Sequence, residues 1–148
     1  MNRWSFIASG FGSGLAPKAP GTFGSFVGLV IGCVLLSLGH AALIAGIILT
    51  IVVGTYAIRE LPEANTDPGW IVIDEFAGQM IPLLALVRVT FWGALAAFIL
   101  FRLFDILKPG PVGLVDKRKD AYGIMGDDIV AGLMALLVMI FLYRFLHL

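Results

Sequence analysis

Five apolar runs divide this chain, and each has about the length that a helix needs to cross the hydrocarbon of a bilayer. They extend from about Thr22 to Leu38, Ala41 to Ile58, Trp70 to Val87, Phe91 to Leu107 and Asp128 to Leu146. A crossing helix takes roughly 17–25 mostly apolar residues. Backbone polar groups in lipid must bond one another, so only helices and closed barrels span it. The short alternating segments of a barrel are missing. Of the 148 residues, 59% are hydrophobic and 14% charged, with a mean hydropathy of +0.99. A soluble core of this size cannot hide so much apolar surface. The sequence therefore predicts an all-α, polytopic membrane helical bundle: one domain over residues 1–148, with four to five membrane helices. The apolar, glycine-rich segment Trp4 to Leu15 is expected to lie at the interface or to re-enter the membrane. The third run carries Asp74, Glu75 and Gln79 and is interrupted by Pro82, so spanning, tilting and dipping all remain open for it.

If all five runs cross, residues 1–21, 59–69 and 108–127 share one side. That side holds Arg3, Lys18, Arg59, Lys108, Lys117, Arg118 and Lys119, against Arg88 and Arg144 on the other. The excess of positive charge assigns it to the cytoplasm. All ten acidic residues lie between Glu60 and Asp128, on that side or at the helix ends facing it. Chemistry is expected on this face. Ten basic residues balance the ten acidic ones, so no basic stripe invites nucleic acid. Cys33, the single cysteine, falls in mid-span, and His40 and His147 fall on the far side. A cysteine nucleophile and a Ser-His-Asp set are both excluded by this topology. No apolar leader with a cleavage site precedes the first run, so no removable signal peptide is expected.

Four segments could carry chemistry. The first, Asp74-Glu75-Phe76-Ala77-Gly78-Gln79, sets two carboxylates side by side at a membrane helix, where burial is expensive. With further oxygen ligands they suit a hard cation such as Mg2+; acids favoured by a helix N-terminus are the structural alternative. The second, from Phe101 to Pro109, places Asp105 three residues from both Arg102 and Lys108, on one helical face. Pro109 ends that helix. Cations beside carboxylates suit a phosphate, although a local ion pair with a snorkelling Lys108 has the same pattern. In the third, from Gly123 to Gly132, a glycine-bearing turn leads to Asp127 and Asp128, one of which can serve as an N-cap. The fourth, Gly14 to Ser25, fixes an irregular backbone ahead of a helix. Thr22 is its expected N-cap, and the free amides at Gly21 and Thr22 can hold an anion. It lacks the Gly-Lys-Ser/Thr ending of a P-loop. The loop acids Asp116 and Asp120, among Lys117, Arg118 and Lys119, read as a solvated, headgroup-facing run. Gly28 and Gly32 form a close-packing pair in the first span.

Together these segments resemble the phosphatidylglycerophosphatase A family. The resemblance rests on Gly12-Ser13-Gly14-Leu15-Ala16-Pro17, Pro20-Gly21-Thr22-Phe23-Gly24-Ser25, Asp74-Glu75-Phe76-Ala77-Gly78, Phe101-Arg102 with Asp105, Lys108-Pro109 and Pro111, and the run from Gly123 to Gly132. It covers nearly the whole chain in order. The chain departs from it at Asp120-Ala121-Tyr122, where the family often has extra glycine, and Lys18 is outside the pattern. The resemblance implies a Mg2+-dependent phosphatase of the bacterial cytoplasmic (inner) membrane. Its substrate would be the phospholipid phosphatidylglycerophosphate, its product phosphatidylglycerol, and its active site would lie on the cytoplasmic face among membrane lipids. Asp74, Glu75, Asp105, Asp127 and Asp128 would then be catalytic and metal-binding. Arg102, Lys108, Gly21 and Thr22 would bind the phosphate. The rival reading from the residues is a small ion-coupled transporter with a one-sided acidic site.

Overall fold

The computed structural model describes residues 1–146, so His147 lies outside the described residues. The described chain is helical: α1 (Arg3–Ala8), α2 (Pro20–Leu38), α3 (His40–Arg59), α4 (Ile73–Met80), α5 (Phe91–Leu107), α6 (Pro111–Asp116) and α7 (Ala121–Leu146). Short 3-10 turns occupy Ser13–Leu15, Ala64–Thr66 and Ile81–Ala85. By length and composition, α2, α3 and α7 can each cross a membrane. Their outer faces carry exposed Val30, Val34, Ile48, Val52, Leu133, Leu137 and Phe141, as lipid-facing helices do. This is a membrane protein. α5, at 17 residues, is at the short end of the crossing range.

The third apolar run is not one long helix. Pro82 lacks an amide hydrogen, and its ring crowds the carbonyl four residues back. The α-helix accordingly stops at Met80 and continues as the 3-10 turn Ile81–Ala85. This broken segment runs beside α2 in register. A methyl group on Gly24 would lie 2.7 Å from Val72 Cβ, one on Gly28 2.8 Å from Phe76 Cα, and one on Gly32 2.6 Å from Leu83 Cδ1. The glycine pair of the first span therefore packs inside the chain. α5 returns from Leu86, which abuts Gly93, and brings Phe101 against Gly78. α7 then meets α4 where Asp128 and Gly132 touch Gly78.

This register puts Gly21, Glu75 and Arg102 at one end of the bundle and Gly39, Leu86 and Gly93 toward the other. The N-terminal segment caps the first end. Its Ala8 carbonyl accepts from Val72 N at 2.9 Å, and Gly14 abuts the Trp70 carbonyl.

Two helix starts differ from the sequence expectation. α2 begins at Pro20, with Ala19 at the cap position and in the left-handed region, because proline already holds the φ that a first helical residue needs. Thr22 is therefore inside the first turn and exposed. α7 begins at Ala121, and the cap is Asp120, whose carboxylate accepts from Gly123 N at 2.9 Å. Asp127 and Asp128 thus sit well within the helix, and Gly123 to Gly126 are helical, with no turn.

Candidate active site

Three short-range constraints bring acids from distant parts of the chain together. The first turn of α4 carries Asp74 and Glu75. Gly78, one turn deeper, lets the α7 backbone approach closely enough to deliver Asp128. Gly21 leaves room for Glu75, whose Oε1 is 2.6 Å from where a methyl on that glycine would be, with the Arg102 guanidinium at 3.6 Å. As a result one carboxylate oxygen from each of Asp74, Glu75 and Asp128 lies within 4.8 Å of the others. Asp105 adjoins Asp128.

The cations nearby are committed to other acids. Arg102 donates to Asp105, one turn on, and at 3.3 Å to Ser25 Oγ. Ser25 itself donates to the Gly21 carbonyl at 2.8 Å, which ties α5 to the start of α2. Lys108, the left-handed C-cap of α5, donates to Asp116 at 2.7 Å and to Asp127 at 2.5 Å. Burial alone would lower the Lys108 pKa, but these two carboxylates hold it above the ordinary ammonium range. The same hydrogen bond from Lys108 holds Asp116 below the usual carboxylate range.

The trio has no such compensation. Asp74 and Asp128 are buried, and none of Asp74, Glu75 and Asp128 has an ion-pair partner among the described residues. Asp74 Oδ1, Glu75 Oε2 and Asp128 Oδ2 are buried without any hydrogen-bond donor. Carboxylates withdrawn from water need a paired positive charge. Convergent oxygens free of donors are what a hard divalent cation coordinates.

The sequence candidates divide accordingly. Asp74, Glu75 and Asp128 form the inner group. Asp105 and Asp127 border it, each with a cation, and Gly21 is part of its wall. Thr22 is exposed and makes no side-chain hydrogen bond. Ser25 and Gln79 stand in the sequence only as members of their segments, with no role of their own, and Asp116 reads there as a solvated loop acid. Gln79 is fully buried, and neither atom of its amide has a partner. Its only sequence signal is a polar residue four positions after Glu75.

Comparison with known proteins gives a consistent assignment. The family model described as Phosphatidylglycerophosphatase A matches residues 6–143. Phosphatidylglycerophosphatase A of Haemophilus influenzae is 41% identical over 142 residues, covering 93% of this chain and 87% of that protein. The Escherichia coli K12 protein of the same name is 35% identical over 144 residues, covering 95% and 84%. A Bacteroides thetaiotaomicron protein provisionally named a phosphatidylinositol-3-phosphatase is 40% identical over 144 residues, covering 89% and 91%. No solved structure matches the chain. A family model matched across nearly the whole length, with two relatives that share its name, establishes that this chain belongs to the phosphatidylglycerophosphatase A family and is a phosphatase.

Proposed function

We propose that the chain removes the terminal phosphate of phosphatidylglycerophosphate, leaving phosphatidylglycerol, and that the reaction depends on Mg2+ held by Asp74, Glu75 and Asp128. The single observation that carries this reading is the convergence of Asp74, Glu75 and Asp128, each with a buried oxygen that has no donor, in a chain of a lipid-phosphatase family. Bound there, the cation would supply charge for the phosphoryl oxygens and polarise a water. Three membrane-length helices, with all ten acids toward one end of the bundle and most of the basic residues beside them, support a bundle of the bacterial inner membrane with this end in the cytoplasm. A substrate with two acyl chains could then remain in the bilayer while its headgroup reaches the acids.

In this reading the chain positions and neutralises the phosphate. Lys108 keeps its proton firmly, so it acts as a fixed charge and not as a proton donor. Arg102, anchored by Ser25 and Asp105, presents a second cation beside Glu75. Water attacks phosphorus, the bond from phosphorus to the glycerol oxygen breaks, and a carboxylate of the group accepts the water proton. That proton balances the alkoxide that leaves. An ion path needs charged groups continuing through mid-span, whereas the described acids all gather at one end of the bundle, so the transporter reading is not favoured.

The test is phosphate release from phosphatidylglycerophosphate by purified protein in detergent, with phosphatidylinositol 3-phosphate as comparator. The expected result is faster release from the glycerol lipid and none after chelation. Equal or greater release from the inositol lipid would overturn the substrate assignment. Lys108→Met should raise KM by roughly 10- to 100-fold, the worth of a charged hydrogen bond, with a smaller effect on kcat. Steady-state kinetics of that variant check this.

A further inference from the structure

The face between α3 and α7 has two cavities that meet at one side chain. The outer one, about 390 Å³, is lined by Arg59, Asn65, Lys119, Asp120 and Tyr122. The inner one, about 300 Å³, is an apolar groove lined by Ile51, Val52, Thr55, Met125, Ile129 and again Tyr122. Tyr122 therefore stands between a polar pocket at the acidic end of the bundle and a short apolar groove between one to two turns of α3 and α7. It is half-exposed, as is usual for tyrosine at the boundary of a membrane.

The charges of the outer pocket favour an anion. Arg59 lies 5.9 Å from the Tyr122 ring centroid and reaches the phenol oxygen at 3.4 Å. No carboxylate lies within 4.0 Å of Arg59 among the described residues. Lys119 is only loosely held, by Asp116 at 3.6 Å and Asp67 at 4.0 Å. Asp120, the one acid lining the pocket, is already satisfied: Arg118 Nε is 2.8 Å from both its oxygens, and Gly123 N donates to it. Arg118 also stacks on the outer side of Tyr122, at 5.2 Å. Arg59 is thus the cation of this pocket without a carboxylate, and Lys119, held at 3.6–4.0 Å, is the second cation beside it.

This face is separate from the carboxylate trio. At about 100° per residue, Asp127 and Asp128 lie about 140° and 120° around α7 from Tyr122. The groove is lined by Met125, whose methyl end packs on Gly54 of α3.

We propose that the α3–α7 face binds one anionic diacyl phospholipid of the surrounding bilayer, outside the active site. Arg59 and Lys119 hold the phosphodiester, and one acyl chain lies in the groove below Tyr122. Charge complementarity above and an apolar groove directly below match the two halves of such a lipid, and neither cavity alone would. The proposal rests on the membrane setting and not on the phosphatase reading.

Native mass spectrometry of the full chain in detergent, without Mg2+ and without substrate, separates the two. Titration with phosphatidylglycerol and phosphatidylcholine should show one tightly retained anionic lipid, preferred by roughly 10-fold, the scale of one hydrogen bond to a charged group. Arg59→Gln with Lys119→Gln should abolish the preference. Val52→Trp, at an exposed position, should fill the groove and weaken retention of both lipids. An unchanged preference in the double variant would overturn the proposal. So would displacement of the lipid by inorganic phosphate alone, or a lipid-free dimer in place of the lipid complex.

Discussion

Asp128→Asn and Asp74→Asn are each expected to reduce phosphate release by at least about 10²- to 10³-fold, the scale seen when one preorganised electrostatic contact is removed from an active site. The substitution keeps the shape of the side chain and removes one charge. The trio has no internal cation, so in the absence of metal each carboxylate is a burden on its neighbours. The variants should therefore hold or raise the melting temperature without divalent ions while activity falls. Wild type should gain about 2.7 kcal/mol when Mg2+ is raised to a hundred times its Kd, and the variants should lose that gain. A thermal melt with and without Mg2+, beside the activity assay, reads both signs. A variant that is destabilised without metal and still stabilised by Mg2+ would mark the carboxylate as structural. Opposite effects on activity and stability are what a site strained for function produces.

The second large effect is expected at Gly78. A methyl there would lie 2.5 and 2.8 Å from atoms of the Phe101 ring and 2.6 Å from the Asp128 carbonyl oxygen. The ring can rotate away, but the carbonyl belongs to the α7 backbone and cannot move without the helix. Overpacking of this kind costs about 1–3 kcal/mol, occasionally more. It would also move Asp128 away from Asp74, and a displacement near 1 Å can cost on the order of 10²-fold in rate. Gly78→Ala should thus lower both stability and activity. Gly69→Ala should do neither, because a methyl there meets nothing within 4 Å. Chemical unfolding and kinetics on the two variants distinguish close packing from a general intolerance of alanine in this region.

Run length located α2, α3 and α5 to within two residues, because a crossing helix needs an apolar stretch of a set length and little else. The break in the third run was visible as Pro82, but its outcome was not. A proline predicts where the α-helix stops, whereas the continuation to Leu86 beside α2 depends on Gly24, Gly28 and Gly32 admitting it. The start of α7 was misplaced by seven residues because hydropathy begins at Asp128, while the helix is capped by Asp120 in a stretch that looks polar. That difference matters for function, since Asp127 and Asp128 become buried residues of a helix wall and not its cap. The acids themselves were legible as a cluster, since carboxylates are rare in apolar sequence. Their partners were not: Lys108 to Asp116 and Arg102 to Ser25 join residues 8 and 77 positions apart, which only the packing of α2, α5 and α6 determines. Gln79 showed in sequence only as a polar residue in an apolar run. Its two unpartnered amide atoms become visible once α4 is seen to be enclosed.

The central question is whether Asp74, Glu75 and Asp128 form a metal centre. Electron paramagnetic resonance with Mn2+ as the probe, on the detergent-purified full chain, measures this without any turnover. Wild type is predicted to bind Mn2+ in a saturable way, with Mg2+ competing and with binding lost in Asp74→Asn and Asp128→Asn. Absence of saturable binding by folded wild type, or binding that both variants retain unchanged, would contradict it.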